Sequence, residues 1–125
     1  MKKLFTLLIT LALAIPAYAH ELTPTYFDLK PSYMDGVYVT TLTLFNRRND
    51  VQYYEIGVFD GDWNPLDFAT IEKIIQVNYQ TKKTFDIYIK KTKRVEPVYI
   101  CTISKLIKSS ETATMISSKV CSKIK

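Results

Sequence analysis

One histidine and two cysteines in 125 residues are the whole stock of imidazole and thiol, and each shortage excludes a kind of chemistry. A serine-protease type of triad needs a positioned histidine, and His20 is expected at a flexible terminus. Two thiols without a second pair of ligands do not make a zinc site. No CxxC pair offers redox chemistry, and neither a phosphate-cradling loop nor a zinc motif occurs. Repeats, linkers and low-complexity tracts are likewise missing. The expectation is a single non-catalytic domain that carries no cofactor.

Long hydrophobic runs are also missing. The longest, Leu4 to Ile15, is too short to span a bilayer and stay there. It follows the basic start Met1–Lys3 and precedes the small-x-small stretch Ala17–Ala19. That arrangement predicts a secretory signal over residues 1–19 and a folded domain over 20–125. The protein is therefore expected in the periplasm or outside the cell, with no stable membrane span after cleavage. A cytosolic enzyme and a polytopic membrane protein are both excluded by this reading.

Beyond residue 19 there are only 6 Leu and 2 Ala, against 31 Val, Ile and Thr and 14 aromatics. Branched side chains lose rotamer freedom in helices and fit a pleated surface. An all-β, immunoglobulin-like two-sheet sandwich of about seven strands follows. Charge is split along the chain: residues 20–72 hold 3 bases and 9 acids, residues 73–125 hold 12 bases and 3 acids. Solvated strand faces of differing sign account for this most simply. The functional counterpart is a basic edge built from the C-terminal strands. Nucleic acid does not suit an exported protein, so such an edge points to an acidic protein surface or a carboxylate.

Strands are expected over Thr23–Leu29, with Pro24 marking an edge, and over Val37–Asn46 and Val51–Asp60, which read as a hairpin across Arg47–Asp50. Turn residues fill Gly61–Pro65. Leu66–Val77 reads as two short strands around a bend, or with one helical turn at Thr70–Lys73. Lys83–Lys91 alternates, with Phe85, Ile87 and Ile89 on one face and Asp86, Tyr88 and Lys90 on the other. Lys90–Arg94 forms a basic loop. The last strands are Pro97–Ile107 and Thr112–Lys123.

Cys101 and Cys121 lie symmetrically about Glu111. If the last two strands form a hairpin there, Cys101 faces Cys121 in a non-hydrogen-bonded antiparallel pair, close enough for a disulfide. That register places Val98, Ile100, Thr102, Leu106, Ile116, Val120 and Ile124 on the core face. The cysteines share the opposite, solvent-facing side with Lys105, Lys119 and Lys123. Tyr99 is read as a face-packing aromatic.

Two further features carry candidate chemistry. His20, first in the processed chain, could chelate copper through its amine and ring, but copper sites of that kind generally need a second histidine. An incidental residue at the signal boundary is the favoured reading. Asp60 and Asp62 beside Trp63 would suit Ca²⁺ or a sugar, yet turns are rich in Asp for backbone reasons alone.

Residues Leu22–Thr25, Thr43–Asn46, Tyr53–Phe59, Phe85–Ile89 and Val95–Ile100, with the final hairpin, resemble the N-terminal domain of periplasmic pilus-assembly chaperones. The resemblance covers Leu22 to Lys123. It implies an immunoglobulin-like fold, and one subgroup of that family joins its last two strands by a disulfide. It also implies a protein partner, such as a pilus subunit or assembly component, bound by strand addition at a sheet edge. The family grips a subunit carboxylate with an Arg early in the first strand and a Lys near the last. Here Tyr26 follows Pro24 and Thr25, and Lys119 or Lys123 stands for the second anchor. The expected edge is the last strand, through Ile116, Val120, Ile124, Lys119 and Lys123. Its lysines serve equally well as protection against pairing. Two other readings stay open: a periplasmic inhibitor of a lysozyme-type enzyme, and a structural component of a surface filament or secretion machine.

Overall fold

The computed structural model describes residues 19–105 and 117–125. Nine strands and no helix occur among them. One sheet joins β4 (Val37–Phe45) and β7 (Lys82–Lys90) through a nine-residue antiparallel register, with β1 (Glu21–Thr23) and β3 (Lys30–Pro31) on the outer side of β4. The other sheet runs in the order β2 (Tyr26–Phe27), β9 (Lys119–Ile124), β8 (Tyr99–Lys105), β5 (Tyr53–Phe59) and β6 (Ile74–Gln76). These two layers make the immunoglobulin-like sandwich.

Alternation decides what lies between the layers. Leu42 and Leu44 on β4 and Phe85, Ile87 and Ile89 on β7 point inward. They meet Tyr54, Ile56 and Val58 on β5, Ile75 on β6 and Ile100 on β8. Each such side chain removes apolar surface from water, worth about 1.5–3 kcal/mol when burial is complete. The β7 alternation matches the sequence expectation residue for residue. Val120 and Ile124 are half-buried and pack against this core. Leu106 and Ile116 lie outside the described residues.

Two expectations are corrected, and a third is decided between its alternatives. The first strand is not continuous: it is shared between sheets as β1, β2 and β3, crossing after Pro24, whose ring removes a ladder donor. The strands β4 and β5 do not form a hairpin, because they belong to opposite sheets. Asn46 explains the crossing. It is fully buried, its Nδ2 donates to the carbonyls of Val51 (2.7 Å) and Val77 (2.8 Å), and its Oδ1 accepts from Tyr54 Oη (2.6 Å) and Arg48 N (2.9 Å). One side chain thus supplies the partners that a turn between paired strands would have provided. Between β5 and β6 the chain touches the edge of β7 through a single bridge, Ala69 to Tyr88, and then bends back to β6. Residues 70–73 form no helical turn.

Candidate partner-binding edge

The strands β8 and β9 pair antiparallel with Cys101 opposite Cys121, Tyr99 opposite Lys123 and Ile103 opposite Lys119. The two sulfurs are bonded at 2.05 Å and the Cα atoms lie 4.0 Å apart. That separation marks a non-hydrogen-bonded pair. The backbone groups of Ser118, Val120, Ser122 and Ile124 therefore turn toward β8, as in Ser104 N to Ser118 O at 2.9 Å and Ile124 N to Val98 O at 2.8 Å. Those of the odd-numbered residues turn outward. Lys123 N donates to Thr25 O and Lys125 N to Phe27 O, both at 3.0 Å, so β2 covers the C-terminal half of this edge. Opposite Lys119 and Cys121 no strand pairs among the described residues. Among the described residues the edge is thus paired along its C-terminal half and unpaired along the other, the open half.

Lysines on an edge can block pairing, but Lys119 does not project across it. Its Nζ lies 4.8 Å from the ring centre of Phe59 and 4.6 Å from that of Trp63, two strands inward. Three local features build this arrangement. Gly57 carries no side chain, and a Cβ there would sit 2.9 Å from the Phe59 ring. Trp63 adopts a left-handed φ of 65° and stacks on Tyr99 at 4.0 Å with 5° between the planes. The Asp60 carboxylate accepts from Asp62 N and Asn64 N, each at 2.9 Å, and from Asn64 Nδ2 at 3.2 Å. Those bonds, the Asn64 backbone contact first, hold its pKa below the usual carboxylate range. The Asp60 carboxylate thus serves the turn that presents Trp63, with Asp62 contributing its backbone N–H. No grouping of three metal-ligating side chains occurs among the described residues.

This face also corrects the expectation that the disulfide sits toward solvent. Cys101 is 0% exposed and Cys121 half-buried. Cys101 lies in register between Gly57 and Cys121, in the row that Phe59 and the Lys119 side chain reach over. Lys123 stays exposed, as does the backbone-paired Tyr26.

The inner side of the open half is polar, which sequence reasoning missed. His20 is only 2% exposed, not flexible. Its Nε2 donates to the Thr102 carbonyl at 3.1 Å and lies 2.7 Å from Thr102 Oγ1. A carbonyl only accepts, so Nε2 carries the proton and Nδ1 accepts from Ser118 Oγ at 3.1 Å. Ser118 Oγ in turn accepts from Arg48 Nη1 at 3.3 Å. Both ring nitrogens are thus hydrogen-bonded within the protein. Burial, first, and the nearby Arg48 cation push the His20 pKa down to about 4. Arg48, itself buried, is raised by its bidentate bond to Asp50, and Asp50 is lowered by the same contact. Burial raises Tyr54 to about 12. Ser122 ties β9 to the crossing segment, donating to Pro24 O at 2.7 Å. The small serines at alternate positions of β9 are thus bonding partners. Of the residues expected at the edge, Lys119 lies at its open half, Val120 and Ile124 face the core, the Lys123 backbone pairs beside β2, and Ile116 falls outside the described residues.

The class this architecture defines is the immunoglobulin-like β-sandwich with a disulfide between its last two strands. Among solved structures it is similar to the E. coli chaperone DraB, with a TM-score of 0.61 and 17% identity over 86% of this chain. The chain spans about half of that structure, 53% of its length. No protein-family profile matches the sequence, and no curated protein matches it.

Proposed function

We propose that the protein is an exported, non-catalytic binding module that receives an extended segment of another exported protein along the open half of β9. The observation that carries this reading is the outward backbone of Lys119 and Cys121, paired with no strand among the described residues where β2 stops short, with Lys119 drawn back over Trp63. A segment laid there gains main-chain hydrogen bonds from the edge, while alternate side chains read the two faces. The disulfide suits an oxidising compartment. The fold shared with a chaperone and the sequence resemblance to pilus-assembly chaperones favour a pilus subunit or assembly component as the partner. The test replaces Lys119 by proline or by alanine and compares capture of envelope proteins by the purified variants. Proline deletes an outward N–H that β8 does not use, and edge strands tolerate it. Lys119→Pro should lose the captured protein while Lys119→Ala keeps it. Equal capture by both variants would reject the edge, as would a chain that retains nothing specific.

A further inference from the structure

We infer that the end of the sandwich formed by the 32–36 and 91–95 turns is a docking surface for anionic lipid bilayers. It lies at the opposite end of the β4–β7 sheet from His20 and is independent of the strand-addition edge: Val37 pairs with Lys90 here, whereas Phe45 pairs with Lys82 at the other end.

Four of five consecutive residues are cations: Lys90, Lys91, Lys93 and Arg94, all exposed. Ion pairs among the described residues engage Arg47, Arg48, Lys83, Lys105 and Lys125, and none of these four. The tip is ordered rather than a loose tail. Thr92 and Val95 exchange backbone hydrogen bonds at 3.2 and 3.3 Å, and Thr92 Oγ1 accepts from Arg94 N and Val95 N. Lys93 and Arg94 are thereby held at the apex of a closed turn.

The neighbouring turn supplies apolar material. Gly36, at a φ of 76°, permits a tight reversal. Tyr33 is 86% exposed and Met34 45%. Lys91 N donates to Gly36 O, and the Tyr33 ring meets Tyr88 edge-on at 6.5 Å, so the two turns form one surface. Beside them is an apolar groove of about 290 Å³, walled by Met34, Val37, Phe68 and Tyr88 with Lys90 at its rim.

Cations outside any ion pair among the described residues, with Lys91 Nζ 5.8 Å from the Tyr38 ring centre, and exposed Tyr and Met are the two signals that together hold a protein on a charged bilayer, each being weak alone. Lysine stems lie along apolar material while their ammonium groups stay at headgroup level, and tyrosine prefers that same boundary. Asp35, Asp67 and Glu96 border the surface, so its net charge is small and its attraction acts only at contact. Its cations are exposed to solvent, so salt should weaken the attraction.

The test is co-sedimentation of the purified protein with vesicles of phosphatidylcholine alone or mixed with phosphatidylglycerol. Binding is expected only to the mixed vesicles and should vanish at high salt. The triple variant Lys91→Ser, Lys93→Ser, Arg94→Ser should bind about 100-fold more weakly. The pair Tyr33→Ser and Met34→Ser should lose about tenfold. The pair Asp35→Asn and Glu96→Gln should bind more tightly. All of these positions are exposed, and unchanged urea midpoints verify folding. Equal binding to both vesicle types, or none to either, overturns the inference. Retention on a polyglutamate resin without vesicle binding also overturns it, and assigns the surface to an acidic protein instead.

Discussion

His20 offers the sharpest test of how the open half of β9 is held. Its pKa is about 4 in the folded chain against 6.5 when free. Above 6.5 the imidazole is neutral in both states, and its full contribution to stability is present. As the pH falls from 6.5 toward 4, the unfolded chain takes up a proton that the folded chain refuses. Stability then declines by up to about 1.4 kcal/mol per pH unit, about 3 kcal/mol across the window. The cause is geometric: a proton on Nδ1 would displace the bond from Ser118 and face the Arg48 cation. Asp50 and Asp60, also lowered, lose their contributions only below their ordinary value of 3.8, so the windows separate. Urea unfolding followed by the single tryptophan, Trp63, at a series of pH values measures the slope. His20→Gln should lower stability by about 1–2 kcal/mol at neutral pH and flatten the dependence between 6.5 and 4. A wild-type protein equally stable at both ends of that range, or a variant with the same slope, would refute the buried neutral imidazole.

Other outcomes follow from the same contacts. Replacing Cys101 and Cys121 together by alanine should cost about 3 kcal/mol, since the bridge closes a span of 20 residues; a change below 1 kcal/mol in urea unfolding would contradict this. Asn46→Ala leaves the Val51 and Val77 carbonyls and the Tyr54 hydroxyl without their partner. The expected loss is about 3–4 kcal/mol, and a urea midpoint near that of the wild type would show that the crossing is held otherwise.

The sequence made the fold class and the β8–β9 register legible because both rest on local pattern. Strand alternation tells which residues share a face, and two cysteines placed symmetrically about a polar segment tell which residues oppose. Alternation does not tell which sheet a strand joins. That is why β4 and β5, separated by a short polar loop, read as a hairpin although Asn46 carries the chain across. The polar cluster behind the edge was illegible for a related reason. His20 meets Ser118 across 98 positions and Thr102 across 82, and nothing near residue 20 announces either partner. Arg48 sits in a charged loop that resembles any solvated turn, and only the fold shows it buried. Lys119 and Lys123 both lie on β9. Their opposite situations, one folded inward and one beside β2, depend on Gly57 and Trp63 far away in the chain.

Parallel pairing of β2 with β9 has a consequence for how the molecule is made. Two strands distant in the chain lie side by side here, with Tyr26 beside Lys123 and Phe27 beside Ile124. Contacts of such long span are costly in chain entropy and slow to form. Until β9 is in place, Phe27, fully buried in the finished protein, lacks its neighbouring strand, so this edge of the sandwich closes only after two distant segments meet.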